Sequence, residues 1–177
     1  MFYALTIDAS GNGIGSHAYV EEPTTYPANE IACTQAQAQN PMAYRVVNGQ
    51  IVESLSWVQS TQITLLQAGY QAAVNAPVTF KNAIGVTSSY PSGNTVLING
   101  QRAKDLLAEI ISAGSSAWTL GKWLDVNNIP QTFTFADLQG LAQAMEAAIT
   151  LDWTDLITKI AEVNAATTVE AVKSITW

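Results

Sequence analysis

From Phe135 to Ala166 the chain runs without a proline, and its apolar residues recur at steps of three and four. Phe135, Leu138, Leu141, Ala142, Met145, Ala148 and Ile149 form the first part of the stripe, and Trp153, Leu156, Ile157, Ile160 and Val163 continue it. That spacing sets them on one face of an α-helix and turns Asp137, Gln139, Gln143, Glu146 and Asp155 elsewhere. Thr134 is placed to cap the start, because its hydroxyl can accept from an orphan backbone N–H, and Asp137 sits three positions on. The pattern predicts one long helix, or two with a bend near Thr150 to Trp153. Thr167-Thr168-Val169-Glu170 has the spacing of a second capping box and predicts a short last helix ending near Trp177. A helix this long and amphipathic needs a surface to lie against, from the earlier chain or from a partner.

The earlier chain reads first as β-structure. Phe2 to Ile7 is rich in strand formers, Asp8 to Gly15 is turn chemistry in which Gly11, Asn12 and Gly13 are free to take positive φ, and His17 to Val20 is the return strand of a hairpin. Pro23 and Pro27 make Glu21 to Asn29 an extended loop. Thr34 to Gln39 reads as a short helical turn with Thr34 as its candidate cap, and Asn40-Pro41 stops it. Tyr44 to Val47, Asn48-Gly49 and Gln50 to Glu53 form the clearest local signal, a hairpin with a two-residue turn whose central positions both need φ > 0. Residues 1–55 therefore form a small β-rich unit with too little core to stand alone.

Residues 60–177 form a helical domain with short strands. Leu55 to Gln62 is a hinge candidate, followed by a helix from about Gln62 to Asn75 that Ser60 or Thr61 caps. A strand is expected over Val78 to Ile84, a loop over Gly85 to Gly93, and a short strand over Thr95 to Ile98. Ala103, Leu106, Leu107, Ile110 and Ile111 share a helix face that Gly114 ends. Trp118 to Asp125 and Gln131 to Phe133 flank a turn at Asn127 to Pro130. The fold class is α+β: a small N-terminal β-hairpin unit, then a helical domain ending in a long amphipathic helix.

Composition narrows the function. Charged residues make up 12% of the chain, against roughly 25% in a typical domain, and a surface so poor in charge is often a covered one. The net charge of −7, with seven scattered basic residues, gives no basic footprint for nucleic acid. One cysteine, Cys33, permits neither an internal disulfide nor a zinc cluster. No signal peptide and no membrane span are expected, since no window approaches 18 consecutive apolar residues. There is one histidine, His17, which Asp8 could meet across the first hairpin but which reads as structural. No nucleophile–base set or metal motif stands out, so no catalytic, cofactor-binding or metal-binding residues are assigned. Gly11-x-Gly13-x-Gly15 has the wrong spacing for a dinucleotide fingerprint. Trp57, Trp118, Trp123, Trp153 and Trp177 read mainly as packing; Trp177 is either tucked back onto the long helix or offered to a partner.

Trp118, the Asp125-Val126-Asn127-Asn128 turn, the Thr132 to Leu138 helix entry and the ending from Ile160 to Val172 together resemble the DUF4376 family of tailed-phage and prophage tail proteins. That resemblance covers roughly residues 60–177, with Val172 where the family has Leu. The N-terminal unit is similar to the start of phage tail-fibre assembly proteins, through Cys33-Thr34-Gln35-Ala36-Gln37 and Asn48-Gly49-Gln50-Ile51-Val52. These resemblances imply a non-enzymatic assembly chaperone or fibre-tip factor whose partner is a trimeric tail fibre, at work in the host bacterial cytoplasm. Two alternatives stay open: a permanent component of the tail or baseplate retained in the virion, and a receptor- or glycan-binding tip protein. Self-association through the long helix is also open. The candidate partner contacts are Tyr44, Val46, Asn48, Gly49, Ile51 and Trp177.

Overall fold

The computed structural model describes residues 1–92, 95–97 and 99–177. The fold is α+β, and the chain divides into two compact units. The first takes residues 1–66 and 159–176; the second takes 67–158 and Trp177. The sequence puts its boundary between 55 and 60 and keeps 159–176 with the helical domain. The structure ties that segment to the first unit through amides. Gln59 Nε2 donates to the carbonyls of Val163 (3.0 Å) and Ala166 (3.2 Å), and Gln62 Nε2 to that of Ile175 (2.6 Å). The first two acceptors belong to carbonyls that a helix leaves unpaired at its C-terminal end.

In the first unit, β1 (Phe2–Ile7) lies between β2 (Gly13–Tyr19) and β3 (Glu30–Cys33), antiparallel to both. The first hairpin is as expected, but its return strand starts at Gly13 rather than His17. The Asp8 carboxylate closes the turn by accepting from the N–H groups of Ser10 and Asn12, both at 2.9 Å, and from the Asn12 amide. Strand β3 has no sequence signal of its own: four residues with Glu at the head are a strand only because β1 offers an edge. His17 is paired with Glu30, not with Asp8. The Glu30 carboxylate crosses β1 to meet the His17 ring and the Tyr19 hydroxyl. Ala4, opposite His17 on β1, is too small to obstruct the crossing.

Helix α1 (Gln35–Gln39) carries a full capping box. Gln37 N–H donates to Thr34 Oγ1 (3.2 Å), and Thr34 N–H donates to Gln37 Oε1 (2.9 Å). After a 3₁₀ turn at Pro41–Ala43, β4 (Tyr44–Val47) and β5 (Gln50–Glu53) form the expected hairpin, with Asn48 at φ 51° and Gly49 at φ 76°. Helix α2 (Leu55–Ala73) follows at once. The expected hinge over Leu55 to Gln62 is helix, and neither Ser60 nor Thr61 caps it. Ser54 anchors the start: its N–H reaches Ala43 O (2.8 Å) and its carbonyl accepts from Val58 N–H (3.0 Å). The Ser, Thr, Trp and Val of this turn are mediocre helix formers, so the anchor and the Gln59 and Gln62 bonds decide the conformation.

The second unit opens with β6 (Val78–Lys81) and β7 (Thr87–Tyr90), paired antiparallel. The strand is shorter than expected, and the expected loop over Gly85 to Gly93 contains β7. Asn82 ends β6 by accepting from Val86 N–H through its side-chain oxygen (2.8 Å), which folds the chain back. The polar run Thr87-Ser88-Ser89 gives no strand signal; pairing with β6 makes it one. Of the expected strand over Thr95 to Ile98, only a single bridge from Val96 to Arg102 is present; Ile98, like Gly93 at the end of the expected loop, lies outside the described residues. Helix α3 (Ala103–Ala113) ends at Gly114, and β8 (Lys122–Leu124) pairs with β9 (Pro130–Thr132).

Helix α4 (Phe135–Ala165) is one continuous helix through 150–153. Leu138, Leu141 and Met145 bury against Tyr90, Leu107, Trp123 and Phe133, with the Phe133 and Tyr90 rings edge to face at 5.1 Å. Asp137 is buried rather than turned to solvent, because it is part of the cap. It accepts from the N–H (2.8 Å) and hydroxyl (2.7 Å) of Thr134 and from Ala83 N–H (2.7 Å). Trp153 and Ile157, read as part of the buried stripe, are half exposed. Helix α5 (Val169–Ser174) is capped by Thr168, one residue beyond the expected Thr167, through Ala171 N–H (3.1 Å). No helix among the described residues is long and apolar enough to cross a membrane.

Candidate functional site

The β4–β5 hairpin brings together five of the six residues singled out from the sequence. Its two faces differ. Tyr44, Val46 and Ile51 alternate onto a half-buried face, whereas Arg45, Val47, Gln50 and Val52 alternate onto an exposed one. Asn48 and Gly49 form the exposed tip. The accessible apolar residues are therefore Val47 and Val52, which the sequence reasoning passed over. The period-2 alternation was the signal for them, once the side carrying Tyr44 was taken as the inner one.

The hairpin's two edges differ as well. Opposed residues in an antiparallel ladder alternate between bonded pairs and pairs whose backbone groups point outward. On β4 an outward residue is Val46, and its N–H donates to Gly11 O at 2.7 Å. Ile51, opposite Val46, and Glu53, opposite Tyr44, point outward on β5. No strand among the described residues pairs with that edge. Beside it, Arg45, Val52, Glu53 and Leu55 line a shallow hollow with residues 167–170, and Lys173 Nζ bridges to Glu53 at 2.5 Å.

Trp177 belongs to the second unit. Its ring meets Tyr70 edge to face at 6.2 Å, and Tyr70 meets Trp153 at 5.7 Å. It rests on the backbone at Gly69: a Cβ there would lie 2.4 Å from Trp177 Cγ. The ring is tucked back, but its seat is Gly69 of α2 rather than the long helix that the sequence suggests, and it remains 40% exposed.

The second unit carries an apolar groove of about 630 Å³. Leu106 and Ile110 of α3 and the tilted pair Trp118–Trp123 (6.3 Å) line it, and Leu120, 74% exposed, stands at its rim. Its polar lining residues are few, and Asp125 is saturated. The carboxylate accepts from the N–H groups of Ile129 (3.0 Å) and Asn127 (2.9 Å), from Ser88 Oγ (3.0 Å) and from Gln131 Nε2 (3.2 Å). Those bonds, the Ile129 N–H first, hold Asp125 below the ordinary carboxylate range despite its burial. Trp123 keeps its indole N–H without an acceptor among the described residues.

No group of three or more His, Cys, Asp or Glu gathers as a metal site among the described residues. Burial pushes the Cys33 thiol up, away from the thiolate form that reacts. Comparison of the chain with protein-family models, with curated proteins and with solved structures returned no match.

Proposed function

We propose that this chain is a non-enzymatic protein-binding factor that docks on a bacteriophage tail fibre while the fibre assembles in the host cytoplasm. The observation that carries the reading is the β4–β5 hairpin. It offers the exposed Val47 and Val52 side chains on one face and the unpaired edge of Ile51 and Glu53 beside them. A fibre tip exposes sheet edges and apolar patches before it closes, and such surfaces aggregate unless covered. A short hairpin with one open edge can pair with them transiently. The sequence likeness of Cys33 to Gln37 and of Asn48 to Val52 to tail-fibre assembly proteins supplies the partner class.

Removing residues 1–55 is a poor test, because 159–176 shares its unit with them. Point substitution is cleaner. Val47→Glu with Val52→Glu places charge on the exposed face without entering the half-buried one. The paired variant should keep its far-ultraviolet spectrum and lose co-purification with the fibre. Undiminished co-purification would remove the hairpin from the interface.

A further inference from the structure

Strands β8 and β9 differ at their outer edges in a way that gives the apolar groove an occupant. Phe133 N–H donates to Gly121 O (2.9 Å) and Asp125 N–H to Ile129 O (3.1 Å). The pairs Lys122–Thr132, Trp123–Gln131 and Leu124–Pro130 lie between them. Bonded pairs alternate along an antiparallel ladder, so Trp123 and Gln131 face each other's backbone. Lys122 and Leu124 on β8, and Thr132 and Pro130 on β9, turn theirs outward. The β9 edge is obstructed: Pro130 has no N–H to offer, and the Thr132 carbonyl is taken by Asn82 Nδ2 at 3.0 Å. The β8 edge is open. Just beyond the strand, Val126 N–H donates to Ser89 O (3.0 Å), but the outward groups of Lys122 and Leu124 have no partner among the described residues.

Both residues of that edge line the groove, with Leu120, Val96 and Trp118. Its volume falls within the roughly 300–1,000 Å³ of ligand-binding clefts in general. Lys122 is the basic residue of the lining and forms no ion pair among the described residues. The nearby Asp125 carboxylate is wrapped by four donors. The charge left for an occupant to meet is therefore positive, on a chain whose net charge is −7.

We propose that the groove binds an extended peptide segment of another chain. The segment pairs its backbone with Lys122 and Leu124 as an added strand, sets apolar side chains at alternate positions into the groove, and places an acidic residue against Lys122. Backbone pairing holds the segment and the alternate pockets select it, as in other strand-addition complexes. This site lies wholly in the second unit and stands independently of the hairpin's role.

The probe is a short fluorescein-labelled peptide that alternates isoleucine with threonine and ends in aspartate. Its binding to the full chain is followed by anisotropy. Saturable binding is expected. N-methylation of alternate amides in one register should abolish it, and in the other register should not. Leu120→Asp, at an exposed position, should weaken it by roughly tenfold or more, a loss of about 1.4 kcal/mol or greater. Exchanging the probe's aspartate for lysine should weaken binding, and Lys122→Glu should reverse that preference. Absent binding, equal binding of both N-methylated peptides, or indifference to Leu120→Asp overturns the proposal. A dimer that forms without the probe and dissolves in Leu120→Asp overturns it too, because it assigns the groove to a second copy.

Discussion

Replacing Gly69 by alanine should destabilise the protein, although alanine is the better helix former. Gly69 lies inside α2, where glycine costs about 1 kcal/mol relative to alanine. The added methyl would sit 2.4 Å from Trp177 Cγ and 2.6 Å from its Cβ, so the indole must leave its seat. Trp177 is 40% exposed. Burial of the remaining three-fifths of an aromatic side chain covers on the order of 100 Å², worth about 2–3 kcal/mol at 25 cal/mol per Å². A compact unfolded state reduces that toward the lower figure. The net cost of Gly69→Ala is then about 1–2 kcal/mol. In a Trp177→Gly background the obstruction is gone, and the same change should stabilise by about 1 kcal/mol. Urea unfolding of the four proteins in this cycle, followed by circular dichroism, reads the coupling directly. If Gly69→Ala stabilises the chain with Trp177 in place, the seat at Gly69 does not exist.

Burial pushes the Asp137 carboxyl up, but the N–H and hydroxyl of Thr134 and the Ala83 N–H outweigh it and hold the group below its usual range. A carboxyl lowered in the fold from about 3.9 in the unfolded chain stabilises above about pH 4, and that contribution is lost as pH falls through the folded value. Urea unfolding from pH 6 down to pH 2 should show this loss, and Asp137→Asn should flatten it; equal acid slopes would contradict the cap's role. At neutral pH, Asp137→Ala should cost about 1 kcal/mol or more through the broken cap, read as a lowered urea midpoint. Gly49→Ala should destabilise by about 1–2 kcal/mol. A methyl there meets nothing within 4 Å, so the whole cost is backbone strain at φ 76°, and an unchanged melting temperature would rule out the two-residue turn.

What the sequence made legible was local. Asn48-Gly49 demands its turn, Thr34 and Thr134 cap where hydroxyls should, and the period from Phe135 to Val163 marks a helical stripe, with one helix or two left open. What it hid was set by distant pairing. Thr87-Ser88-Ser89 and Glu30 to Cys33 have weak strand character, and only β6 and β1 make strands of them. The first turns of α2 gain their hold from Gln59 and Gln62, whose amides reach carbonyls more than a hundred residues on. No periodicity encodes such a bond. Asp137 carried both signals: its charge placed it outside, its spacing from Thr134 marked the cap, and the cap with the distant Ala83 N–H drew it in. At the hairpin, the apolar residues read from the sequence fall on a half-buried face: Val46 and Ile51 are partly covered, and Val47 and Val52 are the exposed apolar side chains.

The reading of this chain as a fibre-assembly factor is tested most directly by co-expressing it with a tail fibre from the same genome, then running size-exclusion chromatography with light scattering. The account predicts that the fibre is insoluble alone and soluble when co-expressed, and that the two elute as one complex. The Val47→Glu, Val52→Glu variant should abolish that complex. A fibre that folds without this chain and elutes apart from it would contradict the account.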